Sequence, residues 1–372
     1  MNKRDLIKKF LEEINSSPIN KFNVMEVCGT HTQSISKFGI RSLVESKINL
    51  ISGPGCPVCV TSEGYIDAAI EIAKESNVIL ATFGDMMKVK GSKDSLIDER
   101  SKGKDIRILY SPLDSISLAE ENKDKEIVFL AVGFETTAPI IALTIKRAKE
   151  KKLKNISFLI GIKKMEPILN HILKDDNLNI QGFICPGHVA TITGANYFKF
   201  IVEEYNIPAV VTGFSELDII GALYFLTQEQ GKNKKSFKNL YKGCVTLEEN
   251  LKVNNLLNDV FINCDNEWRG IGDIKASGFM LNENYKDYDA AGRFQVNLNK
   301  RNINKCACNE IILGKKKPSD CKFFGVSCTP ENAIGPCMVS SEGACSIFYK
   351  YNRRWINEGS NKAYSWWWGR TY

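Results

Sequence analysis

The feature that most restricts the fold is a repeated rhythm. A short apolar, β-rich run ends in a loop containing Gly, Cys or Thr, and a helical pattern follows. The runs are NVMEVCGTH (23–31), INLISGPGC (48–56), VILATFGD (78–85), IVFLAVGFETT (127–137), ISFLIGIKK (156–164), FICPGH (183–188) and AVVTGFSE (209–216). Amphipathic stretches separate them, such as EGYIDAAIEIAKES (63–76), where Ile66, Ile70 and Ala73 share one helical stripe. Pro112 and Pro139 suit the first turn of a helix, where a missing N–H costs nothing. Near-continuous apolar strands alternating with helices predict parallel sheets covered on both faces. Right-handed crossovers then bring the strand-end loops to the carboxyl edge of each sheet, where ligands of such folds bind. Loops far apart in sequence are therefore expected to line one cleft.

The chain has 372 residues, which predicts two or three domains at roughly 100–200 residues each. About half the strands precede the charged stretch EENKDKE (120–126), which reads as a seam. The expected fold class is α/β: two parallel-sheet α/β units, residues 1–122 and 123–240, and an irregular C-terminal domain, 241–351. After residue 240 the rhythm fades, and the segment from Trp268 to Arg293 is Gly-rich and reads as irregular. Residues 352–372 end in NKAYSWWWGRTY (361–372) and read as a tail.

The N-terminus alternates charged and apolar residues without an apolar h-region, so it does not read as a signal peptide. No apolar run is long enough to span a bilayer. A cytoplasmic protein is expected. The net charge is +7, with Lys-rich patches at 146–154, 231–238 and 314–318. These lack interleaved aromatics and stand near no nucleic-acid motif, so they read as solvated faces. Neither G-x-G-x-x-G nor a P-loop pattern is present, which argues against a nucleotide enzyme.

Twelve cysteines are many for a reducing compartment, where clustered thiols more often bind metal or do redox chemistry. Six of them, Cys306, Cys308, Cys321, Cys328, Cys337 and Cys345, lie in one forty-residue block. Their spacing is too wide for zinc knuckles. Irregular backbone rich in Gly and Pro is better suited to surrounding an iron–sulfur cubane with four thiolates. Cys321, Cys328, Cys337 and Cys345 are the expected ligands, because Cys306 and Cys308 are too close together to share one iron easily. Cys185, Cys244 and Cys264 are expected to be buried structural thiols.

In MEVCGTHT (25–32), Cys28 ends a strand and opens a helix. A thiol at a helix N-terminus is expected to have a lowered pKa, and thiolate ligates soft metals. His31 can be a neighbour of such a metal, a second ligand, or a satisfied core histidine. GPGCPVC (53–59) is expected to face Cys28 across the same sheet edge. The Pro between Cys56 and Cys59 restricts the backbone, so the sulfurs can close and reopen a disulfide. Glu135 in GFETTAP (133–139) and His188 in PGHV (186–189) occupy two further strand-end loops.

Taken in order, CGTHT (28–32), GPGCPVC (53–59), GFETTAP (133–139), PGHV (186–189), EWRGIG (267–272) and CTPENAIGPCMVSSEGAC (328–345) resemble the hydrogenase maturation protein HypD family. The match runs from about Phe22 to Tyr351. It departs from the family pattern at KSFKNLYKGC (235–244) and at Asn309, where the family usually has Gly. The resemblance implies a scaffold for the Fe(CN)2CO unit of [NiFe] hydrogenases, with a [4Fe-4S] cluster in the C-terminal part. It implies two partners, the small chaperone HypC and the cyanide donor HypE. Cys28 would hold iron with a HypC cysteine, Cys56 and Cys59 would be the redox pair, and Cys321, Cys328, Cys337 and Cys345 would hold the cluster. The competing expectation is an iron–sulfur-dependent thiol–disulfide oxidoreductase acting on a protein, in which Cys28 has no necessary role. An iron–sulfur nucleic-acid binder is favoured by the net charge alone.

Overall fold

The computed structural model describes residues 2–298 and 306–358 except 176 and 178, with side chains as far as Tyr351. Its strands, in chain order, are β1 (Phe22–Glu26), β2 (Ile48–Ser52), β3 (Val78–Thr82), β4 (Ile106–Ile108), β5 (Glu126–Gly133), β6 (Ile156–Ile162), β7 (Gly182–Pro186), β8 (Ala209–Thr212), β9 (Phe237–Asn239), β10 (Phe261–Trp268) and β11 (Gly272–Leu281). Two sheets are wholly parallel. The first has the order β2-β1-β7-β8-β9 and the second β4-β3-β5-β6. Helices connect the strands, as the alternating pattern requires of parallel neighbours.

Strand parity decides which face each side chain serves. In β5, Ile127, Phe129 and Ala131 pack with Ile79, Ile156 and Phe158. Val128, Leu130 and Val132 point the other way, to Leu80 and Leu159. That second cluster also takes Met25, Phe183, Cys185 and Val211 from one face of the first sheet. A single core is thus shared by the two sheets. The other face of the first sheet, with Phe22, Val24, Ile184 and Val210, is covered by Ile7 and Ile14 of helix Lys3–Ser16 and by Ile219, Leu223 and Leu226 of helix Glu216–Gln230. Burying an aromatic such as Phe129 completely is worth about 1.5–3 kcal/mol.

The partition of the strands differs from the one expected. The charged stretch 120–126 lies within the second sheet's connectivity, between β4 and β5, and does not divide the sheets. The chain leaves the first sheet after β2, builds the whole second sheet, and returns for β7, β8 and β9. Periodicity identifies strands but carries no information about which ones pair.

The segment after residue 240 is also more regular than expected. β10 and β11 form an antiparallel hairpin, closed at Gly270 (φ 70°) and Gly272 (φ 110°), where only glycine is unstrained. Val260, Phe261 and Leu281 join the cluster containing Phe129 and Phe158, so this region packs on the second sheet. The cysteine block follows, and Cys308, Cys328, Cys337 and Cys345 enter the shared core beside Cys56 and Cys59. The closing helix Ala344–Glu358 continues past Tyr351 into the expected tail. The aromatic stretch 361–372 lies outside the described residues.

Candidate functional site

Cys28 stands where β1 turns into helix Gly29–Lys37, with φ −148° and ψ 123°. The backbone of the GPGC loop lies directly against it. Gly29 N–H donates to the Gly55 carbonyl (3.1 Å) and Gly53 N–H to that of Glu26 (2.7 Å). A Cβ on Gly55 would stand 2.5 Å from the Cys28 Cα. Gly55 is therefore required by close approach. The thiol does not behave as expected. Burial pushes it up to about 12; the Glu342 and Glu26 carboxylates add to this, against the His31 and Thr30 amides. Desolvation of the thiolate outweighs the helix terminus. Cys28 is thus a protonated thiol at neutral pH, and binding of a metal there would have to displace that proton.

Beneath it lies a polar group that sequence reasoning missed. Glu26 is fully buried and accepts from Cys28 N–H (3.2 Å) and Thr32 Oγ1–H (2.5 Å). Burial lifts its carboxyl to about 7, against hydrogen bonds from Ser52 and Thr32 and the buried Arg41 guanidinium. Arg41 in turn donates to Ser52 Oγ (2.9 Å) and the Leu50 carbonyl. The signal was present: a Glu directly after the apolar pair Val24-Met25, two residues before the cysteine.

Cys56 and Cys59 are disulfide-bonded, their Cα atoms 5.3 Å apart. Pro57 begins the short helix Pro57–Val60, and Cys59 N–H donates to the Cys56 sulfur (3.1 Å). The Cys59 sulfur lies 3.9 Å from the Pro336 carbonyl, one residue from Cys337. A narrow cleft is lined by Gly29, Gly55, Cys56, Cys59, Cys337 and Glu342, among others. The motif after β1, the disulfide and the C-terminal cysteine block therefore meet at one place. Glu342 presses against Gly29, where a Cβ would come within 2.5 Å of the Glu342 Cβ.

His31 is fully buried. Its Nε2 lies 3.0 Å from the Gly213 carbonyl after β8, which makes it the N–H-bearing nitrogen; Nδ1 has no hydrogen-bond partner. Burial lowers it to about 4. Its ring is 4.6 Å from Phe214, and the exposed His188 stacks on Phe214 at 4.0 Å. Both histidines thus reach the carboxyl edge of the first sheet through one phenyl ring. Glu135 sits apart, at the carboxyl end of β5. Its Oε1 accepts from Met165 N–H and Tyr197 O–H (2.7 Å each), and its Oε2 is buried without a partner. Burial raises its pKa. It is not among the residues lining the cleft.

The six C-terminal cysteines gather into one thiol centre. Cys306 and Cys308, set aside by sequence reasoning, are part of it, their sulfurs 3.1 Å apart. Both crowd Gly335, where a Cβ would meet the Cys306 sulfur at 2.6 Å. The Cys306 thiol is raised by its hydrogen bond to Cys308 and by burial. That of Cys345 is raised by burial and by Cys308, Cys306, Cys328 and Cys321. Mutual repulsion of this kind is what a bound cation relieves. Among the described residues, no three His, Cys, Asp or Glu side chains already surround a single-ion position. An all-thiol donor set on irregular backbone fits an iron–sulfur cluster better than a hard cation. Of the remaining cysteines, Cys185 is buried as expected, Cys264 is half-buried, and Cys244 is exposed, contrary to expectation. It follows the Tyr241 turn, on the exposed run 242–244 before the buried Val245.

No helix among the described residues is long and apolar enough to cross a membrane. The family model described as Hydrogenase formation hypA family (HypD) matches residues 5–352, reaching back through the first helix. Hydrogenase maturation factor HypD of Escherichia coli is 39% identical over 333 residues, covering 89% of each chain. Hydrogenase maturation factor HypD2 of Bradyrhizobium diazoefficiens is 40% identical over 347 residues, 91% of each chain. HypD of Azotobacter vinelandii is 39% identical over 347 residues, 91% of this chain and 92% of its own. With a family model matching residues 5–352 and relatives about 40% identical along some nine tenths of its length, the chain belongs to the HypD family of hydrogenase maturation factors.

Proposed function

We propose that this maturation factor is a scaffold and redox protein on which the Fe(CN)2CO group of [NiFe] hydrogenase is assembled. Iron is its cargo, held by Cys28 together with a cysteine of a small HypC-type chaperone, and a HypE-type donor supplies the cyanide groups. One observation carries this reading: Gly29 and Gly55, which pack directly around Cys28, line a single cleft with the Cys56–Cys59 disulfide and Cys337 of the C-terminal block. Carbon monoxide, a π-acceptor, binds iron well only when the metal is electron-rich. A thiolate at Cys28 would supply electron density, and its high proton affinity means that metal must displace a proton to bind.

Opening the Cys56–Cys59 disulfide takes two electrons and two protons, breaks the S–S bond and leaves two thiols. Cys321, Cys328, Cys337 and Cys345 would hold the [4Fe-4S] cluster, with Cys306 and Cys308 at its side. When bound, the cluster supplies single electrons. In this reading His31 fixes the Cys28 helix against the end of β8. His188 is the exposed imidazole available for proton transfer, and Glu135 is a buried acid whose proton burial holds more tightly.

The test replaces Cys56 and Cys59 by Ala and reads the infrared bands of cyanide on partner-bound iron. Loss of those bands is expected; full retention would sink the redox role. The thiol–disulfide oxidoreductase reading makes a different prediction for Cys28→Ala, namely intact iron binding by the complex. The scaffold reading expects iron binding to be lost.

A further inference from the structure

The turn Trp268–Gly272 does more than close the hairpin. It lies between the disulfide segment and the thiol centre. On one side, Arg269 N–H donates to the Val60 carbonyl (2.9 Å), and Trp268 forms an antiparallel bridge with Thr61. Both partners directly follow Cys59. On the other side, Asn309 Nδ2–H donates to the Gly270 carbonyl (3.2 Å), and Asn309 adjoins Cys308. A Cβ on Gly270 would stand 2.5 Å from that of Asn309, so the two turns are in direct contact.

The Arg269 side chain is buried here, at 6% exposure. Its Nε–H and one terminal N–H donate to the Thr61 and Lys90 carbonyls (2.8 Å each). The buried Glu63 carboxylate is 3.9 Å from the remaining terminal nitrogen. Neutral carbonyls thus hold most of the fork and leave its charge in place. A buried guanidinium is expensive to desolvate and persists where negative charge faces it. Glu63 is its largest charge partner, and the thiols of Cys308, Cys337 and Cys306 follow within its electrostatic reach.

We propose that Arg269 is a positioning residue of the redox site: its buried charge, clamped between the Cys56–Cys59 segment and the C-terminal thiol centre, favours the more negative, reduced state of that centre. This inference rests on the proposed cluster and adds what sets its potential. Reduction adds one negative charge, so a fixed positive charge nearby raises the midpoint potential.

The experiment is an anaerobic redox titration of the iron-loaded full-length protein, with dithionite as reductant and electron paramagnetic resonance as readout. Wild type, Arg269→Gln and Arg269→Lys are compared at equal iron and sulfide content. Arg269→Gln is expected to shift the reduced-to-oxidised ratio at fixed poise by about tenfold toward oxidised, equivalent to about 59 mV for one electron. Arg269→Lys should retain most of the wild-type value. A Gln variant that fails to load iron while the Lys variant loads supports the charge requirement. An unshifted potential in a loaded Gln variant overturns the inference and leaves the cluster reading intact. Failure of both variants to load overturns it in favour of a purely structural clamp. A wild-type protein without any cluster overturns both.

Discussion

Gly55→Ala isolates the contact on which the site's geometry depends. The backbone dihedrals at Gly55 are not in the left-handed region, so alanine meets no conformational penalty there. The cost is steric alone. The added Cβ falls against the backbone nitrogen of Cys28, 2.5 Å from its Cα and 2.7 Å from its carbonyl carbon. Ordinary contact begins at 3.4 Å and the Cys28 nitrogen would be nearer still than its Cα, so the GPGC loop and the Cys28 backbone must separate by about 1.0 Å. No flexible side chain is available to absorb the shift. Overpacking of this kind costs about 1–3 kcal/mol. A displacement near 1 Å at a reacting group can cost about a hundredfold in function. Thermal denaturation and iron content of the complex measure the two effects separately. The expected result is a melting temperature lowered by a few degrees and a much larger loss of iron capture. Gly231→Ala, where an added Cβ meets nothing within 4 Å, is the control and should be silent. Full stability and full iron capture in Gly55→Ala would refute the close-approach argument.

Three further outcomes follow from the same contacts. His31 is held near 4 by burial against an unfolded value of about 6.5, so its contribution is present above pH 6.5 and is lost as pH falls toward 4. Unfolding free energies should therefore fall less steeply with acid in His31→Gln than in wild type, by about 3 kcal/mol across that window; parallel profiles would contradict it. Trp268→Phe removes the Nε1–H bond to Ser277 Oγ (2.9 Å) and buried volume, and should cost about 1–3 kcal/mol in urea denaturation. Cys244 should react with iodoacetamide in the native protein and Cys185 only after unfolding, as peptide mass mapping would show. Equal protection of the two would contradict the exposure seen here.

How much of this was legible in the sequence depends on the kind of pattern involved. The buried parallel strands were readable because an unbroken apolar run such as IVFLAV has no other stable home. The convergence of CGTHT with GPGC followed from the handedness of crossovers. The order of strands did not, since nothing in β1 names β7 as its partner. The β10–β11 hairpin was missed because its faces do not alternate: Asn263, Asp265 and Asn266 interrupt the period of two, and the turn residues Gly270 and Gly272 read as disorder in the pattern. The Cys28 thiol was misjudged for a different reason. A helix terminus is visible in sequence, whereas the burial that outweighs it is a property of the packed chain. The same applies to Arg269, whose role depends on Thr61, Lys90 and Cys308, residues that lie far from it in the chain.

The excursion of the chain between β2 and β7 also governs the order of events during synthesis. The second sheet, β3 to β6, is contiguous and has all its strands once residue 162 has left the ribosome. The strand leading into Cys28, β1, must wait for β7, roughly 130 residues beyond β2, or on the order of 10 s of translation. Until then its only neighbour is β2, and the Gly213 carbonyl that receives the His31 proton has not yet been made. The Cys28 thiol is encoded near the start of the chain but is among the last parts of the fold to acquire its surroundings. Nascent chains would therefore carry an incomplete cleft until the second sheet and β7 are in place.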